Sequence, residues 1–296
     1  MLTVGSSTSP ARAAVAAAVA LFLAASLPTG SAAQALPQPG SPDPETPRAL
    51  PIHDSVWLEE LTWLEVRDLM RAGHRTVLVP TGGVEQNGPY LALGKHNIIL
   101  RATMDAVARK LGDALVAPVV AFVPEGDIEP PSGHMRYPGT VSVTQETFRA
   151  LLTDVARSMK AHGFEHVILL GDSGGNQAGM EAVASALSAE WKGSGTDITF
   201  VPEYYDNERW NAWIAEQGVR ETLEGLHDDV RHSSIMMLVD PAYVRADSRV
   251  TAGLFRINGV ELAPVERTVA LARRLVEYQA QVTVDAIRER LARQVR

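Results

Sequence analysis

The chain has 296 residues, 46% of them apolar, a formal net charge of −8 and no cysteine. That length allows one large domain or two smaller ones and carries enough apolar residues for a sizeable core. The acidic balance, without a basic block, argues against nucleic acid as a partner. Lack of cysteine excludes disulfides, thiolate catalysis, iron–sulfur clusters and Cys-ligated zinc.

Arg12 precedes a run of small and apolar residues from Ala13 to Leu27, broken by Pro28 and followed by Ser31-Ala32-Ala33-Gln34-Ala35. This is the layout of a secretory signal peptide over residues 1–35, cleaved near Gln34 or Leu36. The run is short for a membrane span of ~20 residues, so an uncleaved anchor is the alternative. The expected location is the periplasm or the outside, with no stable membrane association after cleavage. Residues 36–50 hold five prolines and few large apolar side chains. They read as an extended linker, and residues 51–296 as one folded domain.

Within that domain, apolar residues at 61, 64, 66, 69 and 70 lie among charges, with Thr62 and Glu65 spaced as a capping box. This predicts an amphipathic helix ending at Gly73. Val77–Val79 reads as a buried strand, 97–111 as a helix, and Ala114–Val123 as a second strand. The Pro/Gly-rich stretch 126–140 reads as a long loop and 145–161 as a helix. Val167–Leu170 is the third strand, 176–191 a helix and Ile198–Val201 the fourth strand. A short helix follows at 210–217; 233–239 is either helix or strand; 264–293 is a long C-terminal helix. Continuous apolar strands alternating with helices are the pattern of a parallel sheet covered on both faces. The expected class is α/β, three-layer α/β/α with a mostly parallel central sheet. The long polar loops after its first three strands should gather on one edge.

Those loops carry the chemistry. Glu85, Asn87 and His96 lie within twelve residues after the first strand. A carboxylate and an imidazole there suit a divalent metal; a polar surface loop with Glu85 capping a turn is the plainer reading. Gly171-Asp172-Ser173-Gly174-Gly175 fits G-x-S-x-G between strand and helix. It would expose Ser173 as a nucleophile, with His227 or His232 as base and Asp206 to orient it. Otherwise it is a tight turn with Ser173 capping the helix. His134 follows Glu125, Asp127 and Glu129 in a loop that either contacts substrate or is simply solvated. His227-Asp228-Asp229 supplies a general acid/base, metal ligands or a helix cap. His53, His74, His162 and His166 sit at linker, helix-end and turn positions and read as structural or exposed.

Taken together, four ordered stretches resemble the creatininase (creatinine amidohydrolase) family. Pro80-Thr81-Gly82-Gly83-Val84-Glu85-Gln86-Asn87-Gly88-Pro89-Tyr90-Leu91-Ala92 is similar to its P-x-G-S-x-E-Q-H-G-P-H-L-P motif, and His96 stands where the family has an Asp. Gly171–Asn176 is similar to N-G-H-G-G-N, His227–Ser234 to H-A-G-E-x-E-T-S, and Gly133–Thr140 to a loop ending in P-G-T. The resemblance implies the creatininase fold and a metal-dependent hydrolase acting on a cyclic or small linear amide. It also implies a homo-oligomer, hexameric in the family. Of the family's metal ligands only Glu85 is unchanged: Asn87 and Ser173 replace histidines, His96 replaces the bridging Asp, and Gly175 stands where creatininase itself has Glu. The implied site is therefore one Zn²⁺ or Mn²⁺ per chain, not two, held by Glu85, His96 and Asp172. His227 and Asp228 would shuttle protons, and Asn87, Tyr90, His134, Gly174, Gly175 and Asn176 would contact substrate. Ser173 as nucleophile of a serine hydrolase, or a binding protein without catalysis, are the other readings.

Overall fold

The computed structural model describes residues 40–294, so the expected signal segment lies outside the described residues. By its contacts the chain divides into Met1–Thr46 and Pro47–Arg296. Of the first unit, residues 40–46 are described, and Thr46 there closes a turn on the Asp43 carbonyl at 2.9 Å. Among the described residues no helix is long and apolar enough to cross a membrane.

The second unit is ordered α1 (Trp63–Arg71), β1 (Thr76–Thr81), α2 (Lys95–Leu111), β2 (Ala114–Val116), α3 (Gln145–Ala161), β3 (His166–Gly171), α4 (Gln177–Glu190) and β4 (Asp197–Phe200). Then come α5 (Asn207–Glu216), α6 (Val230–Val239), α7 (Ala246–Ala252), the short pair β5 (Arg256–Ile257) and β6 (Val260–Glu261), and α8 (Val265–Gln294). The capping box is formed: the Thr62 side chain accepts from Glu65 N, and the Glu65 carboxylate accepts from Thr62 N at 2.7 Å. The segment 233–239, undecided from sequence, lies in α6, whose start Asp229 caps by accepting from His232 N. Helix α7 and the β5–β6 pair were not expected.

The strands pair in parallel in the order β2-β1-β3-β4. Their side chains alternate between two layers, as the pleat requires. Val77, Val79, Val167, Leu169 and Ile198 pack with Phe148, Leu152, Met180 and Leu187 from α3 and α4. Leu78, Val116, Ile168 and Leu170 pack with Leu100, Met104 and Val107 of α2 and with Ala280, Val284 and Ile287 of α8. The three-layer expectation holds. A third cluster joins α6 and the β5–β6 pair to the first half of α8 through Ile235, Met236, Ile257, Leu271 and Leu275.

The second strand is shorter than its apolar run. The ladder to β1 runs on through Ala117 N–H, which donates to the Leu78 carbonyl at 2.8 Å, and then slips: Val120, not Val119, donates to the Pro80 carbonyl at 2.9 Å, leaving an isolated bridge between Thr81 and Val120. The consequence is local: residues 117–126 run out over the sheet edge and bring Glu125 to the ends of β1 and β3.

Strand order also fixes where the site lies. From β1 the chain turns to β2 on one side, and from β3 to β4 on the other. The crevice between β1 and β3 is thus the topological switch point, where open α/β sheets place their ligands. Thr81 and Gly171 are register partners at the ends of these strands, so the loops 82–94 and 172–176 leave side by side. Gly171 permits this closeness: a Cβ there would fall 2.1 Å from Thr81 Oγ1 and 3.0 Å from the Thr81 carbonyl oxygen. Gly171→Ala should therefore lower stability by about 1–3 kcal/mol through overpacking, measured by thermal or urea unfolding. An unchanged unfolding midpoint would show that the strand ends tolerate separation.

Candidate active site

A cavity of about 1100 Å³ opens at the switch point, lined by five parts of the chain. Glu85 comes from the loop after β1, Lys95 and His96 from the start of α2, Glu125 and His134 from the loop after β2, and Asp172 to Gly175 from the loop after β3. His227 to Asp229 and His232 close it from the α6 side.

Glu85 is placed by its backbone: its N–H donates to the Leu93 carbonyl at 3.0 Å. Asn87, fully buried, donates from Nδ2 to the Glu85 carbonyl at 2.7 Å, and to Ala92 and Leu93. Asn176 likewise ties the two loops, donating to Thr81 Oγ1 at 3.0 Å and to the Gly82 carbonyl at 2.8 Å. Tyr90 stacks on the Arg249 guanidinium, 4.6 Å from the ring centre. None of these three lines the cavity, so the expected substrate contacts narrow to His134, Gly174 and Gly175. The side chains that would have contacted substrate hold the loops in shape instead.

His96 is strung between two carboxylates. Its Nε2 lies 2.7 Å from Glu85 Oε1 and its Nδ1 lies 2.8 Å from Asp172 Oδ2. Ionised carboxylates only accept, so each contact needs an N–H, and with both the ring is a cation. Lys95 Nζ adds a second cation 3.3 Å from Glu85 Oε1, and Arg231 Nη2 a third 2.8 Å from Asp172 Oδ1. All five side chains are buried. Burial alone would raise Glu85, but the His96 bond and the His96 and Lys95 charges carry it well below the usual carboxylate range. Asp172 is raised by burial and lowered further by Arg231 and His96, ending at about 2.

The chain of contacts continues outward. Arg231 Nη2 donates to His232 Nε2 at 2.9 Å, and His232 Nδ1 donates to Asp229 Oδ2 at 2.6 Å. Burial and the Arg231 charge push His232 down to about 4, which keeps it neutral and able to accept from the arginine. On the other side Glu125 sits against Glu85; burial and that neighbouring charge push it up to about 9. It retains its proton at neutral pH.

Glu85, His96 and Asp172 thus meet, but not around a point. The two ring nitrogens of an imidazole face apart, so Glu85 and Asp172 lie on opposite sides of His96 and cannot share one ion with it. The expected three-ligand centre is instead a carboxylate–imidazolium–carboxylate chain. Among the described residues three other groups bring ligand atoms within 4.8 Å of one another: Glu85, His134 and His227; His96, Asp172 and His232; and Glu85, His96 and Glu125. Imidazole nitrogens with carboxylate oxygens are the donor chemistry of a late first-row divalent ion, so the cavity suits one. Ser173 Oγ meets the Glu125 carboxyl at 3.3 Å. Among the described hydrogen bonds it has no imidazole partner, and Asp206 caps α5, so the serine triad does not assemble. His53, His74, His162 and His166 lie away from the cavity lining; His166 pairs with Asp197 at 2.7 Å.

Lys95 and Arg231 escaped the sequence reading; Asp229 appeared there within the His227-Asp228-Asp229 cluster, one reading of which was the helix cap it forms, and Glu125 only as one acid of a loop. The signal for Glu125 was present: Val123-Pro124-Glu125-Gly126 repeats the strand-into-glycine layout of the other two loops.

Removing one partner of a buried pair leaves an uncompensated charge. Asp172→Asn should therefore cost about 3–5 kcal/mol at pH 7, read from urea unfolding. Asp172 is depressed from 3.8 to about 2, so its contribution is full above 3.8 and disappears as pH falls through about 2. The variant's deficit should shrink over that window.

A model of the creatininase family, described as creatinine amidohydrolase, matches residues 59–274. The mycofactocin precursor peptide peptidase of Mycolicibacterium smegmatis is 32% identical over 132 residues, covering 43% of this chain and 51% of that protein. The creatinine amidohydrolase of Pseudomonas putida is 28% identical over 116 residues, 39% of this chain and 44% of that one. The chain thus spans about half the length of the curated relatives it matches. A solved structure described as "Creatininase Mn" superposes with a TM-score of 0.57 at 21% identity, over 81% of this chain and 98% of that one.

Proposed function

The chain belongs to the creatininase family, and from that premise we propose that it hydrolyses an amide C–N bond with the help of a divalent ion in the switch-point cavity. One observation carries this reading. Loops from three parallel strands, the start of α2 and the α6 side together deliver carboxylates, a protonated carboxyl group and four imidazoles to one cavity.

Glu85 and the imidazoles facing it would hold the ion, which supplies polarisation of the amide oxygen and a bound water whose pKa falls toward ~7. Glu125, protonated up to about 9, donates a proton to the departing nitrogen. Asp228, also raised by burial, faces the cavity from the α6 side as a second proton carrier. Backbone N–H groups at Gly174 and Gly175, just before α4, lie where they can meet a developing oxyanion. A Cβ at 175 would fall 2.2 Å from the Pro124 carbonyl oxygen, so glycine there lets the loop after β3 pack directly on the loop after β2. The cavity, about 1100 Å³, is slightly larger than ordinary ligand sites of ~300–1,000 Å³. That size favours an extended, peptide-like amide over a single small ring. The Arg12–Ala35 pattern supports export, and the family resemblance supports a homo-oligomer.

A panel of peptide and cyclic amides, tested with Zn²⁺ or Mn²⁺ restored, should contain a cleaved substrate. Glu85→Gln should lower kcat/KM at least about 100-fold, and Glu125→Gln by about 10²–10⁴. Because Glu125 acts as an acid, activity should fall as pH rises through about 9, and that limb should vanish in Glu125→Gln. Undiminished turnover in Glu85→Gln would sink the reading. A serine-directed fluorophosphonate should leave the protein unlabelled; labelling that Ser173→Ala abolishes would replace this reading with a serine hydrolase.

A further inference from the structure

We propose that this chain binds a single divalent ion at the cavity mouth, on Glu85, His134 and His227, and that its own cations close the two inner seats. The inference rests on the hydrolase reading for its use, but the site is argued from geometry alone.

The inner groups are already satisfied. In the group of His96, Asp172 and His232, the Arg231 Nη2 lies 2.8 Å from Asp172 Oδ1 and 2.9 Å from His232 Nε2. An ion there would face a guanidinium that the fold holds buried. In the group of Glu85, His96 and Glu125, the His96 Nε2 is spent on Glu85 Oε1 and Lys95 Nζ stands 3.3 Å from the same oxygen. Both seats therefore hold a protein cation against their carboxylate. Like charge and an occupied lone pair work together to exclude an ion.

The outer group shares Glu85 but uses its other oxygen, against which no lysine or arginine stands among the described ion pairs. Glu85 Oε1 is committed inward, while Oε2 faces His134 Nε2 at 3.1 Å. His227 Nε2 approaches the same carboxylate, 3.7 Å from Oε1. The two rings lie 4.4 Å apart, tilted by 35°. Gln86 steadies both: its carbonyl oxygen accepts from His227 Nδ1 at 2.8 Å and its side-chain amide lies 3.5 Å from His134 Nδ1. With its hydrogen on Nδ1, a neutral His227 turns a bare Nε2 lone pair toward a carboxylate. The oxygen it approaches, Oε1, already faces His96 and Lys95, so the carboxylate oxygen open to an ion between the two rings is Oε2, beside His134.

The backbone adds an independent observation. His227 has φ of +58°, a left-handed conformation that a side-chain-bearing residue adopts at a cost and that clusters at functional sites. The side chains of His134 and His227 are 29% and 41% exposed, so an ion can reach them from solvent. With Glu125 protonated and His96 a cation, five carboxylates line the cavity against His96, one lysine and one arginine, a balance that attracts cations. Two imidazoles and one carboxylate suit Zn²⁺ or a neighbouring first-row ion, with open positions left for water and substrate.

The test uses full-length protein purified without a metal-binding tag, stripped with chelator and titrated with Zn²⁺ and Co²⁺. Elemental analysis and calorimetry should give about one equivalent for the wild type and for His232→Ala. His134→Ala and His227→Ala should bind at least tenfold more weakly and lose the visible Co²⁺ bands, with circular dichroism confirming that they fold. One equivalent retained in both variants, loss of binding in His232→Ala, or two equivalents in the wild type would each overturn the site. Amide cleavage by a protein that binds no Zn²⁺ overturns this site and leaves the hydrolase reading standing. One ion bound at these residues without cleavage of any amide supports the site and counts against that reading.

Discussion

His96, held between Glu85 and Asp172, is the contact on which the rest of the cavity depends. Two buried carboxylates at the ends of adjacent strands would repel each other and resist desolvation. A doubly bonded imidazolium joins them across the crevice at 2.7 and 2.8 Å. Lys95 then adds a second cation to the same Glu85 oxygen, and Arg231 bonds the other oxygen of Asp172. The arrangement has a cost: Lys95 and His96 sit in the first turn of α2, where the helix dipole disfavours positive charge. Only the facing carboxylates make that position tenable.

Once the acids are neutralised from within, the residues around them can take separate duties. Glu85 offers one oxygen inward and one outward. Glu125, pressed against an ionised neighbour, keeps its proton. Burial, with the guanidinium beside it, keeps His232 neutral. Each protonation state follows from the next group along the chain, from Asp229 at the start of α6 to the cavity mouth. The polar interior is thus one coupled system, in which a change at one member alters the charge available to the others.

Much of the fold was legible because its signals are local. Alternating helix and strand patterns gave the parallel sheet, Thr62 and Glu65 gave a capped helix start, and glycine-rich stretches marked the loops at the sheet edge. The strand β2 is shorter than its apolar run because pairing with β1 slips register after Ala117, which hydrophobicity does not mark. The short elements between residues 246 and 261 carry too few residues for periodicity to register. In the site, Glu85, His96 and Asp172 could be picked out from loop position, and they do meet. What a linear reading lacks is the partner of each charge. A carboxylate paired with lysine or arginine looks the same in sequence as one awaiting a metal, and Lys95 and Arg231 are ordinary helix residues until the fold brings them inside. Asn87 and Asn176 illustrate the converse: polar residues in reactive-looking motifs that spend their hydrogen bonds on the backbone.

Helix α8 runs 30 residues, a rod of about 45 Å at 1.5 Å per residue. Its first half is packed with α6, through Leu271 and Leu275, and its second half lies under the sheet, through Ala280, Val284 and Ile287. The two walls of the cavity, strand-end loops on one side and the α6 segment on the other, are therefore mounted on a common beam. Breathing of the cavity by hinge motion of one wall against the other would require bending that beam, so access to the interior falls to the loops themselves.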